Sequence, residues 1–399
     1  MFDCRCTCQG NKEIDVKMNN KVKIIAFYLP QFYPTPENDE WWGKGFTEWT
    51  NVGKAKPLFK GHNQPRVPTE LGYYDLRLTI VREQQAQMAR EAGVTAFCYW
   101  HYWLGNGKRL LSEVFDEVLE SGKPDFPFCL GWANHSWYAK DWNSDGTINK
   151  KLLIEQTYPG IEDQKMHFSF LLNAFKDSRY FKVDGSPLLY IFDSKSLPED
   201  YVQNLILWTK EAGFPNLFLV AQTEPENKQI RLKQGYSAVS YQKLDATNPK
   251  LRKVANSLQF SKLIKPVYIQ ACMLKKYICG LVLRRPPFII DYEKVSHSLI
   301  DERDYDEDVI PFILPQWDHS PRSGWNGRIF INCTPDRFYT HVVDALKAIK
   351  KKKQSRQIIF LKSWNEWGEG NMMEPDYTYG RGFINALRKA VDEFEANEI

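Results

Sequence analysis

The sequence predicts a single (β/α)8 TIM barrel with a long first βα loop and an insertion between strands six and seven. Three observations predict it: eight short apolar runs, amphipathic stretches between them, and glycines that close several of those stretches just before the next run. The runs are residues 22 to 29 (VKIIAFYL), 94 to 100 (VTAFCYW), 128 to 132 (FCLGW), 187 to 192 (PLLYIF), 217 to 222 (LFLVAQ), 237 to 241 (SAVSY), 311 to 317 (PFILPQW) and 358 to 363 (IIFLKS). Helical periodicity covers 76 to 92, 109 to 121 and 199 to 212, and ends at Gly93, Gly122 and Gly213. Eight strands in this alternation favour closure into a ring over an open doubly wound sheet.

The connections are uneven. Residues 30 to 75 form a long loop after the first strand, rich in Pro, Gly, Trp and Tyr, and a loop of that length in a compact domain is usually functional or disordered. Its aromatic content argues against disorder. The excursion at 242 to 310 divides by charge. Ala246 to Ile290 holds nine basic residues and no acid, whereas Asp291 to Asp308 holds eight acids and two bases. Two halves that neutralise each other on a solvated surface account for this pattern. The sharper alternative is peripheral membrane contact through 246–290, on an anionic face or a lipid-linked substrate. The expected organisation is therefore a Cys-containing tail at 1–21, then a catalytic barrel at 22–399 carrying 242–310 as an insertion.

Composition narrows the function classes. With 43% hydrophobic and 26% charged residues the chain is globular, and a formal charge of +4 gives no basic field that would recruit nucleic acid. No run of 18 uncharged apolar residues exists, and the first thirty residues lack the basic and apolar segments of a secretory signal. A cytoplasmic location is expected. Cys98 and Cys129 lie in strand-like runs, while Cys4, Cys6 and Cys8 crowd a polar tail without the fourth ligand that a tetrahedral zinc site needs. The 13 Trp and 20 Tyr are more amphipathic rings than a core requires, and such rings suit flat, hydroxyl-bearing ligands such as sugars.

The chemistry concentrates after strand eight, in Leu361-Lys362-Ser363-Trp364-Asn365-Glu366-Trp367-Gly368-Glu369-Gly370. Residues just past the C-terminal end of a barrel strand face the active site. Glu366 and Glu369, read as one helical turn, have Cβ atoms about 5 to 6 Å apart. Retaining glycosidases hold their two carboxyl groups about 5 to 5.5 Å apart. This pair is the catalytic candidate; the alternative is a helix start carrying acids to suit its dipole, which Gly368 and Gly370 weaken. Other strand-end residues make a candidate sugar-binding wall: Tyr28 and Gln31 after strand one, Glu48 and Trp49 in the first loop, Tyr99, Trp100, His101 and Trp103 after strand two. Trp132, Asn134, His135 and Trp137 follow strand three, and Trp364, Asn365 and Glu374 surround the pair.

WNEWGEG followed by Glu374-Pro375, with FYLPQFYP at 27 to 34, GFTEWTNV at 45 to 52, FCYWHYW at 97 to 103 and GWANHSW at 131 to 137, resembles the glycoside hydrolase family 99-like proteins of the WbsX type. The resemblance runs from about residue 22 to the end. It implies a (β/α)8 barrel, action on mannose-like glycans, and a place in bacterial surface polysaccharide, lipopolysaccharide or O-antigen biosynthesis. It also implies a mechanism without a covalent enzyme intermediate. The residue matching Glu366 deprotonates the sugar 2-hydroxyl, which attacks its own anomeric carbon, and the residue matching Glu369 protonates the leaving oxygen. That division of labour requires unlike pKa values, and Glu369 is expected to be the more desolvated and to stay protonated near neutral pH.

The function expected is thus a retaining endo-type glycoside hydrolase acting on α-mannoside-like linkages of an oligosaccharide or lipid-linked glycan, with no metal and no cofactor. A glycosyltransferase is the rival enzyme, in which Asp304 and Asp306 of Asp-Tyr-Asp-Glu-Asp supply the Asp-x-Asp spacing used on nucleotide sugars. A non-catalytic glycan-binding barrel is the third reading. His62, His101, His135 and His319 show no paired metal-ligand spacing, and Gly105-Asn106-Gly107-Lys108 lacks the spacing of a phosphate cradle.

Overall fold

Eight parallel strands alternate with helices around one axis. In the computed structural model they are β1 (Lys23–Tyr28), β2 (Ala96–Trp103), β3 (Phe128–Trp132), β4 (Ser186–Ile191), β5 (Phe218–Thr223), β6 (Ala238–Tyr241), β7 (Phe312–Ile313) and β8 (Ile358–Leu361). All eight expected runs are strands. The structure describes residues 22–397 apart from 143–147, 242, 244–273, 275–277, 279–285 and 287. The tail with Cys4, Cys6 and Cys8 lies outside the described residues, as does nearly all of the basic stretch 246–290.

The strands pair in the order β6-β5-β4-β3-β2-β1-β8-β7, every pair parallel. The ring is nearly closed by one bridge, in which Val239 N–H donates to Asp308 O and Ile310 N–H donates to Val239 O, both at 2.8 Å. Because successive side chains of a strand point to opposite faces, each strand sends alternate residues into the lumen and into the helical layer. Phe27, Tyr190 and Phe360 meet in the lumen, and Trp100 stacks on Phe27 at 4.7 Å. Tyr28 and Tyr99 point the other way, toward α3 and α4, and are buried there.

Ten helices matter to the argument. The first loop carries α1 (Pro36–Trp42) and α2 (Glu48–Lys54), and the outer layer contains α3 (Thr79–Ala92), α4 (Glu113–Ser121), α5 (Ile161–Lys176), α6 (Glu199–Glu211) and α7 (Lys228–Lys233). It continues with α8 (Tyr292–Leu299), α9 (Pro335–Ile349) and α10 (Gly382–Glu395). Gly93 ends α3 in the left-handed region at φ 84, where its N–H reaches Ala89 O and Arg90 O. The helix expected over 109 to 121 starts four residues late, because Arg109–Leu110 instead pairs antiparallel with the end of β2.

The described end of the excursion packs into the barrel. Ile289–Asp291 pairs in parallel with Ile329–Ile331, and α8 buries Tyr292, Val295 and Leu299. Among the described residues, Asp301 and Asp304 hold Lys243, and Asp306 and Asp308 hold Lys228. Asp304 and Asp306 therefore serve in separate ion pairs. Among the described residues no helix is long and apolar enough to cross a membrane.

Candidate active site

The chain leaving β8 is fastened to the end of β1 by backbone and side-chain hydrogen bonds. Trp364 N–H donates to Phe27 O at 2.8 Å, and Asn365 brackets Leu29, accepting from its N–H at 2.8 Å and donating to its O at 3.0 Å. Asn365–Glu366 then pairs antiparallel with Asn371–Met372, and Trp367–Glu369 forms a 3-10 turn between them. Glu366 and Glu369 accordingly sit on a short hairpin, not on the single α-helical turn expected. Gly368 matters at its tip. A Cβ there would lie 1.9 Å from Glu48 Oε2, so only glycine admits that carboxylate.

Arg322, from a single helical turn after β7, joins three acids. Its Nε donates to Glu48 Oε2 at 3.1 Å, and its Nη1 donates to Glu366 Oε1 at 3.2 Å and to Glu369 Oε1 at 2.6 Å. The two contacts from one nitrogen bound the separation of those carboxylate oxygens to below the sum of 3.2 and 2.6 Å. Glu48 is the first residue of α2, whose start is fixed by a reciprocal bond pair between Thr47 and Thr50. His319 Nε2 stands 3.3 Å from Glu369 Oε1.

This arrangement separates the charges of the pair. Burial, then the neighbouring charge of Glu369, pushes Glu366 up to about 7 against the pull of Arg322 and Lys362. Burial also acts to raise Glu369, but Arg322 and the His319 hydrogen bond outweigh it and hold the carboxyl well below its usual range. Of the two, Glu366 thus binds a proton the more tightly, the reverse of the expectation that Glu369 would keep it. Burial works against the charge of Arg322, and the three surrounding carboxylates restore it and raise its pKa.

The sequence-derived wall divides into groups. Glu48 is in the cluster, and Trp100 lines the lumen beneath it. Trp137 packs edge-on against Tyr102 at 5.2 Å. Asn134 and His135 line a separate polar groove of about 230 Å³ with Tyr138, Gln156 and Asp193. Trp49 and Gln31 support rather than face the cluster: Trp49 packs on Trp367, and Gln31 O accepts from Glu48 N–H.

The remaining candidates are corrected by their surroundings. Tyr28 donates to Gln85 of α3, Tyr99 packs on Phe115 of α4, and His101 meets His167 of α5 at 3.0 Å. Trp132 donates to Trp103 O and lies against His167 and Tyr201, while Trp103 reaches Asp163 of α5. All five face the helical layer, because strand alternation turns them away from the lumen. Trp364 and Asn365 are fully buried fasteners. Glu374 accepts from Tyr74 Oη, Trp367 Nε1 and Gln85 Nε2 behind the hairpin, and burial pushes its carboxyl up to about 7 despite those bonds.

Arg322, Lys362 and Tyr102 are missing from the sequence reading, and His319 was considered there only as a metal ligand. Each follows a strand-end rule already in hand. Tyr102 is two residues beyond lumen-facing Trp100, Lys362 directly follows β8, and His319 and Arg322 stand shortly after the run 311 to 317.

A nearly closed parallel ring with converging acids at its C-terminal mouth is a glycoside hydrolase-like barrel in fold. The chain superposes on a GH99 endo-alpha-mannosidase from Bacteroides thetaiotaomicron, solved with BIS-TRIS-propane, at a TM-score of 0.53 and 14% identity, covering 94% of this chain and 98% of that one. The family described as Glycosyltransferase WbsX matches residues 24–387, and the chain belongs to it. It is 32% identical over 372 residues to the uncharacterized protein WxcX of Xanthomonas campestris pv. campestris, and 31% identical to WxcX of strain B100. Each alignment covers 92% of this chain and 49% of the relative, so the chain spans about half the length of the curated relatives it matches.

Proposed function

We propose that this mouth is the active site of a retaining endo-type glycosidase that cleaves α-mannoside-like linkages in a bacterial surface glycan, acting in the cytoplasm. One observation carries the reading. Two carboxyl groups share one Arg322 nitrogen while burial and charge move their pKa values apart, Glu366 up to about 7 and Glu369 well below the usual carboxylate range. Paired carboxyls about 5 to 5.5 Å apart and of unlike pKa are what retention requires. The GH99 endo-alpha-mannosidase likeness in fold supports the substrate class.

The resting charges favour a definite assignment. Glu369, ionised, takes the proton of the sugar 2-hydroxyl as O2 attacks C1, and Glu366 gives its proton to the leaving oxygen. Water then opens the 1,2-anhydro sugar, with Glu366 taking a proton from the water and Glu369 returning one to O2. Both carboxyls finish as they began. This reverses the roles implied by the family resemblance. The test is the pair Glu366→Gln and Glu369→Gln on a natural oligosaccharide and on a glycoside with an activated aryl leaving group. Loss of the proton donor lowers turnover of the natural substrate about 100- to 10,000-fold and spares the activated one. Sparing in E366Q supports this assignment, sparing in E369Q returns the roles to those of the resemblance, and undiminished turnover in both removes the pair from catalysis.

The family's description favours a second reading, in which the same pair transfers a glycosyl group to an acceptor sugar. Mass spectrometry of products from mannose-, rhamnose- and fucose-containing oligosaccharides, with and without nucleotide sugars, separates the two. Release without a donor identifies the hydrolase.

A further inference from the structure

The lumen below the carboxyl pair holds a lysine that the proposed chemistry does not use. Lys362 directly follows β8 and lines a cavity with Trp100, Tyr190, Gln222, Ser240 and Tyr241. Its ammonium lies over the ring of Trp317 at 4.8 Å. Among the described residues it makes neither a hydrogen bond nor an ion pair, unlike the buried Lys243, held by Asp301 and Asp304, and Lys352, bonded to Val309 O. Contact with a ring face engages the positive charge and leaves the three N–H donors of an ammonium for another acceptor. The cavity is small, at about 20 Å³. A water-sized group needs about 10 to 15 Å³ measured this way, so the space suits a substituent and not a sugar ring. Trp317, which the ammonium covers, lies parallel to the ring of His319 at 6.4 Å, and His319 Nε2 stands 3.3 Å from Glu369 Oε1, so the lysine and its cavity adjoin the carboxyl pair.

We propose that Lys362 and this cavity form a subsite for a carboxylate carried by the sugar at the carboxyl pair, so that the enzyme selects a uronic acid residue over its neutral counterpart. The proposal rests on the reading of the mouth as a glycan site and names its substrate more narrowly. A half-buried ammonium with unused donors gains more from a full negative charge than from a neutral hydroxymethyl group, which leaves that charge unmatched.

Calorimetric titration of the full chain with methyl α-D-mannopyranoside and with the corresponding methyl mannopyranosiduronic acid tests it, repeated with the glucose pair. The wild type is expected to bind a uronide on the order of tenfold more tightly than its neutral partner, as one charge-assisted hydrogen bond supplies. In K362M that ratio falls toward one, and in K362R, which keeps the charge, it is retained. Added salt narrows the wild-type ratio. Equal wild-type affinities, or weakening of both sugars alike in K362M, overturn the subsite while the glycosidase reading stands. Binding of neither kind of sugar overturns the subsite, and the glycosidase reading then falls only if no oligosaccharide is cleaved.

Discussion

The two faces of β2 do different work although their residues alternate along eight positions. Cys98, Trp100 and Tyr102 face inward: Trp100 lines the lumen, and Tyr102 sits where the charge of Glu366 is felt, its phenol kept protonated by burial and by that charge. Tyr99, His101 and Trp103 face outward and are taken up by α4 and α5, where Trp103 Nε1 donates to Asp163 and His101 meets His167. Trp100 lines an open cavity and Tyr102 lies within the field of the carboxyl pair. Outward, His101 and Trp103 each have a ring nitrogen engaged by α5. Aromatic content alone does not distinguish a sugar platform from a helix-packing layer.

The largest effect expected from that contrast is on folding. Trp132→Ala empties an outward site between His167 and Tyr201 and should cost about 3 to 5 kcal/mol in urea unfolding. A loss below about 1 kcal/mol would show that the helical layer does not depend on this ring.

A second test uses pH. Burial, then the charges of His167 and Arg109, lowers His101 well below 6.5, and burial, then Arg109, does the same to His167. The folded chain therefore holds both neutral while the unfolded chain takes up their protons below about pH 6.5, so stability falls as pH falls, by up to about 1.4 kcal/mol per unit per histidine. Glu366 and Glu374, both raised to about 7, act in the opposite sense and contribute stability that is lost as pH rises toward 7. The comparison is consequently between wild type and His167→Asn at pH 7.5 and 5.5. The variant should show the smaller acid-induced loss, and parallel profiles would contradict the neutral imidazoles.

The smallest effect belongs to the hairpin tip. Gly368→Ala should cost about 1 kcal/mol in stability, because the Glu48 side chain can swing aside from the new Cβ, while breaking the Glu48–Arg322 contact lowers turnover roughly tenfold. Unaltered turnover would detach Glu48 from the site.

Much of this was legible in the residues, and the failures have physical causes. Period-two alternation in AFCYWHYW already separates Trp100 from Tyr99, His101 and Trp103, and using it would have removed those three wall candidates. Nothing local distinguishes Asn365 as a fastener, since its partner Leu29 is 336 residues away. The role of Glu374 depends likewise on Gln85, 289 residues away.

By itself the sequence determined the barrel, because apolar runs of strand length and helix-ending glycines act over a few residues, and it placed Glu366 and Glu369 at the C-terminal mouth through strand order. Only the tertiary structure decided which of the two carries the proton. That depends on ångström-scale distances to Arg322 and His319, which approach from the neighbouring strand's loop, and Coulomb energies between charges follow separation in space and not along the chain.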